Sequence, residues 1–540
     1  MLKRQYQKPF PASLVPSAQT TMSDALSLLK QYYGHAAFRP GQRELIEAAA
    51  CGRDVLGILP TGGGKSVCYQ IPALLTPGLA VVVSPLISLM HDQVDALRSK
   101  GIPAAYITSE LSIREQKDIL ENAARRSLSA DTPASHLCRT AESGARPPLK
   151  FLYVSPERLT TPFFRAFSQR VNITLLIVDE AHCISMWGHE FRPAYLAIRD
   201  FLSQLPARPV VAAYTATATV RVREDIIGQL GLKNPFLYTA SFDRPNLYYE
   251  VRHPTDKWAE LQKLLSQYRD CCGIIYCLTR RGVNALARRL ALCGYPALRY
   301  HAGLSSMERS EAQERWLSGD VPLIIATNAF GMGIDKPDVR FVIHYQMPGS
   351  VENYYQEAGR AGRDGKPSDC ILLYSDKDVK ANRFFIKQTS SGALREVLLA
   401  QLDDMRRYSG AQSCLRSFFT SYFSADDPGL SMQQSAGTPS CRSCSVCLGR
   451  GCRPETFPEN EEDHGLYRSL IEVRLRIARN RQISPYKILP DSVLHDLAKR
   501  RPEGMPDLLL MEGTPFIKGI KYGADFLKEI RTWKASHARR

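Results

Sequence analysis

Apolar residues along this chain collect into short blocks. Each is closed by a glycine-rich or polar turn and followed by a stretch with helical spacing. Val55–Leu59, Ala80–Ser84, Lys150–Val154, Thr174–Val178 and Val210–Tyr214 read as buried strands, because an unbroken apolar run suits a strand covered on both faces. Helical patterns over Asp24–Tyr33, Gln42–Ala50 and Pro85–Arg98 alternate with them. This alternation predicts a parallel sheet with helices on both sides. A second cycle begins near Cys271, with strands at Gly273–Tyr276, Leu323–Ala326 and Phe341–His344 and a helix at Val283–Cys293. The predicted fold class is therefore α/β, with two doubly wound parallel-sheet domains in tandem. Arg125–Pro148 is rich in Ser, Thr, Ala, Gly and Pro without a period, and reads as a surface loop inserted in the first domain.

Composition adds a partner class. A chain of 540 residues has room for about three or four domains. No apolar run approaches the roughly 20 residues of a membrane span. The net charge of +16 and pI near 9.2 suit a polyanionic partner. Most of the 14 cysteines, Cys68, Cys183, Cys277 and Cys370 among them, are scattered in apolar segments. That is the pattern of reduced thiols in an intracellular protein, cytoplasmic in a bacterium or nuclear in a eukaryote. Met1–Thr21 is rich in Lys, Pro, Ser and Gln and has no secretory apolar core. Residues 1–22 read as a disordered tail, or as an upstream extension with Met22 as the start; a basic organellar transit peptide is the alternative.

Candidate chemistry begins at Leu59–Ser66, LPTGGGKS, which follows an apolar strand and precedes a helical pattern. Gly62, Gly63 and Gly64 allow backbone conformations that aim N–H groups at phosphate oxygens. Lys65 then reaches the β- and γ-phosphates and the Ser66 hydroxyl holds Mg²⁺. Leu59 stands where the strict motif has glycine, and an ordinary glycine turn satisfies the same local pattern. Upstream, Gln42 can pair with both edges of adenine, and Arg39 and His35 can lie against its ring. Asp179 and Glu180 close an apolar strand, where doubly wound sheets place ligands. Asp179 suits Mg²⁺ and Glu180 suits deprotonation of water, although such pairs are also common on solvated faces. The loop from Cys183 to Pro193 packs Trp187, His189, Phe191 and Arg192 together, which suits stacking on bases or, equally, a core cluster. Thr215–Thr219, TATAT, follows a strand and could couple the nucleotide site to what lies above it. Gln356, Arg360 and Arg363 in YYQEAGRAGRDG recur at helical spacing and would share one helical face.

FRPGQ, PTGGGKS, VVVSPLISLMHDQV, YVSPERL, VDEAHCISMWGHEFRPAY, TATAT, SFDRPNL, GIIYC, YHAGL, ATNAFGMGIDKPDVRFVIH and YYQEAGRAGRDG occur in this order over Leu26–Tyr374. Together they resemble the RecQ-family helicases of superfamily 2. The resemblance implies two RecA-like domains with ATP between them and ATP hydrolysis coupled to 3′→5′ travel on single-stranded DNA. It implies that His35, Arg39, Gln42, Thr61, Gly62–Ser66, Asp179, Gly333 and Asp335 hold ATP and Mg²⁺. Lys65, Asp179, Glu180 and Arg360 serve catalysis, with Arg363 as the finger from the second domain. Trp187, His189, Phe191 and Arg192 match the family's aromatic-rich loop, which contacts single-stranded DNA. His35 departs from the larger aromatic often found there.

The tail holds Cys441, Cys444 and Cys447 at double-residue gaps, and Cys414 opens a helical stretch, LRSFFTSYF. Four thiolates make a closed tetrahedral zinc site. Cys414 completes the set by the family's layout, with Cys452 as a rival to Cys447. The Pro-rich acidic run after Cys452 is a linker without room for the winged helix that family members often carry. Leu466–Trp533 has the length and pattern of the family's small helical HRDC domain. The expected organisation is 1–22 tail, 23–236 and 237–380 RecA-like domains, 381–453 zinc module, 454–463 linker and 464–535 HRDC-like domain. Expected partners are single-stranded and tailed duplex DNA, bound by a monomer with no membrane contact. A translocase with weak unwinding and a non-hydrolysing nucleic-acid scaffold are the rival readings.

Overall fold

The computed structural model describes residues 18–127, 148–188, 190–268, 271–331, 336–424, 441–449, 461–481, 488–489, 491–509 and 516–537. The chain divides into two compact units, Met1–Gly451 and Cys452–Arg540.

The first unit holds two parallel sheets. Strands β1 (Val55–Ile58), β2 (Leu79–Val83), β3 (Ala104–Ile107), β4 (Phe151–Val154), β5 (Ile173–Val178), β6 (Val210–Thr215) and β7 (Phe236–Thr239) lie in the order β3-β4-β2-β5-β6-β1-β7. In the strands paired on both flanks the Val, Ile and Leu side chains are almost all buried on both faces, as their unbroken apolar runs require, whereas Leu237 on the edge strand β7 is exposed. β6 lies between β1 and β5. The turns leaving the C-terminal ends of β1 and β5 therefore stand one strand apart on one rim, with Thr215 between them. At the other end of β1, the Asp54 carboxylate accepts from Arg208 at 2.6 Å and from the backbone N–H groups of Val211 and Lys233. That anchors three elements to the start of the strand that carries the phosphate loop.

The second sheet contains β8 (Leu247–Arg252), β9 (Gly273–Tyr276), β10 (Ala297–Tyr300), β11 (Leu323–Ala326), β12 (Phe341–His344) and β13 (Ser368–Leu373), in the order β10-β11-β9-β12-β13-β8. Beyond the edge strand β8 lies the cysteine knuckle. The Tyr249 N–H donates to Ser443 at 3.3 Å, and the Ser445 N–H donates to Tyr249 at 2.9 Å. Helix Leu415–Ser424 packs Phe419 and Phe423 against Tyr249, Tyr355 and Phe242. The elements described in the second unit are helices: Glu461–Arg481, Asp491–Arg500, Met505–Leu509 and Phe516–His537 close on a core that includes Leu470, Leu494, Leu497, Phe526 and Ile530. Among the described residues, no helix is long and apolar enough to cross a membrane.

Several boundaries shift. A helix spans Ala18–Tyr33, so it begins inside the expected tail, and Met22 is buried in the core of the first sheet. The expected domain break at 236 falls on the first residue of β7, which pairs with β1 in the first sheet. The break at 380 falls inside helix Asp376–Lys387. The inserted loop lies largely outside the described residues, after a helix that runs on to Ser127. The largest correction concerns Gln356, Arg360 and Arg363. Helix Val351–Ala358 stops at Gly359, so the two arginines sit in turns and not on one helical face with Gln356.

Candidate functional site

A cleft of about 590 Å³ opens on the rim of the first sheet and is lined from both domains of the first unit. His35, Arg39, Gln42, Thr61, Gly62, Gly64, Lys65, Ser66, Asp179 and Glu180 border it from the first domain, and Gln356, Arg360 and Arg363 from the second. Gly63 belongs to the same loop. Gly333 and Asp335 lie outside the described residues.

The phosphate loop takes its shape from its glycines. Gly62 and Gly64 have φ of +77° and +78°, and a Cβ on Gly64 would stand 2.4 Å from the Gln42 amide nitrogen. Helix Lys65–Leu75 starts directly after Gly64, so its first N–H groups face the cleft as an anion site. Gln42 braces the loop from behind. Its amide nitrogen donates to the Gly63 and Gly64 carbonyls at 3.3 and 3.2 Å, and its oxygen accepts from the Arg39 N–H. Arg39 donates to the Gly62 carbonyl. The two residues expected at adenine thus also hold the loop, and His35 is exposed at the cleft mouth.

Lys65 Nζ stands 3.5 Å from Glu180 Oε1. Glu180 itself has φ of +46°, a left-handed conformation that costs a side-chain-bearing residue about 1–3 kcal/mol. Asp179 is 7 % exposed, and burial, then the neighbouring Glu180 charge, push its carboxyl up to about 6 against the pull of Lys65. His182 Nδ1 meets the Thr215 hydroxyl at 2.8 Å and lies 3.4 Å from Glu180. Two residues on, the Thr217 hydroxyl accepts from Gln356 Nε2 at 3.0 Å, so the TATAT turn spans from the acidic pair to the second domain.

The turn that carries Arg360 and Arg363 presses on the phosphate loop. Thr61 Oγ1 donates to the Gly359 carbonyl at 3.1 Å. A Cβ on Gly62 would stand 3.4 Å from the Arg363 side chain. Arg360 is buried and donates to the Gly331 carbonyl, in the loop after β11.

The aromatic loop is held by residues of two helices, Val220–Leu230 and Gly392–Ser409. The Arg221 guanidinium lies 3.0 Å from the centre of the Trp187 ring, and the Trp187 carbonyl accepts from Gln401 at 3.0 Å. Arg192 donates to the Pro85 carbonyl at 2.6 Å, while Phe191 is half-buried. His189 lies outside the described residues. The sequence reading missed Arg221 and Gln401, because each touches the loop from a helix distant in sequence and neither belongs to a motif.

Cys414, Cys441, Cys444 and Cys447 bring their sulfurs within 4.8 Å of one another. Metal–sulfur arms of about 2.3 Å place the sulfurs of a tetrahedron about 3.8 Å apart, so the set fits zinc. Burial pushes the Cys414 thiol up, but hydrogen bonds from Ser417 and Cys441 outweigh it and bring it down to about 7, while burial pushes the Cys441 and Cys444 thiols up, so a metal would have to displace their protons. Cys452 lies outside the described residues.

Residues 39–226 match the DEAD/DEAH box helicase family and 256–365 the helicase conserved C-terminal domain. Residues 376–448 match the RecQ zinc-binding family and 463–530 the HRDC domain. The chain is 42 % identical to the ATP-dependent DNA helicase RecQ of Bacillus subtilis, over 75 % of this chain and 65 % of that one. It is 37 % identical to a protein of Caenorhabditis briggsae named after ATP-dependent DNA helicase Q1, over 81 % of this chain and 67 % of that one. The chain thus spans less than two thirds of the length of the bacterial RecQ relatives it matches, 63–65 %. The solved structure of the DUF1998 helicase MrfA bound to DNA superposes with a TM-score of 0.53 at 16 % identity, over 75 % of this chain and 58 % of that one; it supports the fold alone. The four family matches fall in the order in which the two sheets, the cysteine knuckle and the helical unit follow one another, and the chain belongs to the RecQ family of ATP-dependent DNA helicases.

Proposed function

We propose that this chain is an ATP-dependent DNA helicase that moves 3′→5′ on single-stranded DNA and separates tailed duplexes, acting as a monomer in repair and recombination. It would work inside the cell, in the cytoplasm of a bacterium or the nucleus of a eukaryote. The observation that carries this reading is the convergence of Lys65, Glu180 and Arg363 on one cleft between two domains.

The roles follow from position. Lys65, poised beside Glu180, takes the β- and γ-phosphates, and the N-terminus of its helix receives the negative charge. Ser66 and Asp179 would hold Mg²⁺, which neutralises phosphate charge. Glu180 accepts the proton of the attacking water, and Arg363 stabilises the charge that builds on the transferred group. Gln356–Thr217 and Thr61–Gly359 tie the domains at this point, so a change in the cleft moves one domain against the other. Trp187, Phe191 and Arg192 meet the DNA and report to Glu180 through the turn at His182.

ATP turnover with and without single-stranded DNA tests the reading. Strong stimulation is expected, and Lys65→Ala should abolish turnover; retained hydrolysis in that variant refutes the phosphate-loop assignment. RNA in place of DNA tests the substrate. A second reading, a translocase that separates duplexes weakly, is favoured by one observation: residues 450–460 leave no room for a further domain between the knuckle and the helical unit.

A further inference from the structure

The segment Ser241–Leu247, SFDRPNL, has no part in the chemistry above, yet its side chains reach both loops of the cleft. Arg244 Nη1 donates to the carbonyls of Thr61 and Gly359, each at 3.3 Å, and Nη2 to those of Ala361 and Gly362, each at 3.1 Å. One guanidinium thus ties the phosphate loop of the first domain to the finger turn of the second. Asn246 adds a second hold on that turn, donating to Gly362 at 2.8 Å and to Lys366 at 3.0 Å. Gly362 lies between Arg360 and Arg363 with φ of +57°, and a Cβ there would stand 2.4 Å from the Asn246 amide. The direction in which the chain presents Arg363 is therefore set under these two side chains.

The segment is itself fixed. The Phe242 ring stacks on Phe423 at 4.4 Å, its carbonyl accepts from the Tyr355 hydroxyl at 2.8 Å, and Asp243 pairs with Arg416 at 2.9 Å. Pro245 restricts the backbone between the two donors. Arginine suits a four-way tie of this kind because its planar fork donates in several directions at once, whereas lysine offers one compact centre and glutamine two uncharged donors.

We propose that Arg244 is a positioning residue for ATP hydrolysis, holding the turn that carries Arg363 in register with the phosphate loop. The proposal rests on the reading of Arg363 as the catalytic finger. A misplacement of about 1 Å in a catalytic group costs about 10²-fold in rate, and an arginine finger is worth about 10³–10⁵.

The test is a double-mutant cycle on the full chain, read as kcat for DNA-stimulated ATP hydrolysis and as affinity for a fluorescent ADP analogue. Arg244→Gln should lower kcat about 10²-fold and leave nucleotide affinity within about threefold, since the phosphate contacts remain. Arg363→Ala should lose about 10³-fold or more. The double variant should match Arg363→Ala within about threefold, because Arg244 acts through Arg363. Arg244→Lys should recover about tenfold of the loss. If Arg244→Gln does not fold by circular dichroism, Arg244→Lys replaces it in the cycle with an expected loss of about tenfold. An impaired Arg363→Ala beside an unimpaired Arg244 variant, or losses that multiply in the double variant, overturns the proposal alone. A wild-type chain without turnover, or a fully active Arg363→Ala, overturns the finger reading and the proposal with it.

Discussion

Glu180 holds a backbone conformation that L-residues avoid, and the strain aims its carboxylate at Lys65. Glu180→Gln keeps the side-chain shape and removes the proposed base together with its charge beside Lys65. It should bind ATP about as tightly as wild type while kcat falls by about 10²–10⁴; comparing a binding titration with steady-state turnover checks this. Asp179 adds a pH dependence. In the proposed role its carboxyl would have to be ionised to hold Mg²⁺, and burial has pushed it up to about 6. At limiting Mg²⁺, turnover should fall as pH drops through about 6, and a tenfold rise in Mg²⁺ should move that limb down by about one pH unit. Stability runs the other way. A carboxyl whose folded value exceeds its unfolded value of about 3.9 favours the folded state when protonated, so its contribution is present below that unfolded value and lost as pH rises through about 6.

Elements differed in how far the sequence revealed them. β1, β2, β4, β5, β6, β9, β11 and β12 were legible because strands paired on both sides are buried over nearly all their length and read as unbroken apolar runs. The missed strands β3, β7, β8 and β10 are the four sheet edges. AAYI, FLYT, LYYEVR and ALRY mix polar and partly exposed positions, since one flank has no strand beside it. β13 begins Ser-Asp directly after the charged finger turn, which hides its apolar half. The phosphate loop and the acidic pair were legible as motifs. The Arg221 contact with Trp187 was not, because it is made across a sheet rim by a residue with no local signature. That stacking ties the aromatic loop to helix Val220–Leu230. Arg221→Ala should weaken stimulation by single-stranded DNA severalfold while unstimulated hydrolysis stays within about twofold, and Trp187→Ala should lose stimulation with ATP binding intact. Turnover against DNA concentration measures both.

At the scale of the whole molecule, the two sheets and the cysteine knuckle form one body, and the short span 450–460 precedes a separate helical unit. If the chain follows one strand as proposed, the 11-residue span between knuckle and helical unit predicts fewer base pairs separated per ATP than in relatives that carry a duplex-gripping domain at this point. Side-by-side unwinding of a 3′-tailed duplex, normalised to ATP consumed, checks this, and equal yields would show that the helical unit supplies the missing grip. The knuckle carries a further consequence. β8 ends its sheet, and the backbone of Tyr249 is occupied by Ser443 and Ser445. An open edge offers its N–H and C=O groups to any extended chain, another copy included. Zinc, worth about 10–16 kcal/mol in comparable thiolate sites, then governs how copies of the molecule behave toward one another. Stripped of metal by a chelator, or as Cys444→Ser, the protein should scatter light increasingly with concentration while a dilute sample still binds nucleotide. The ion would be a solubility factor acting through one strand.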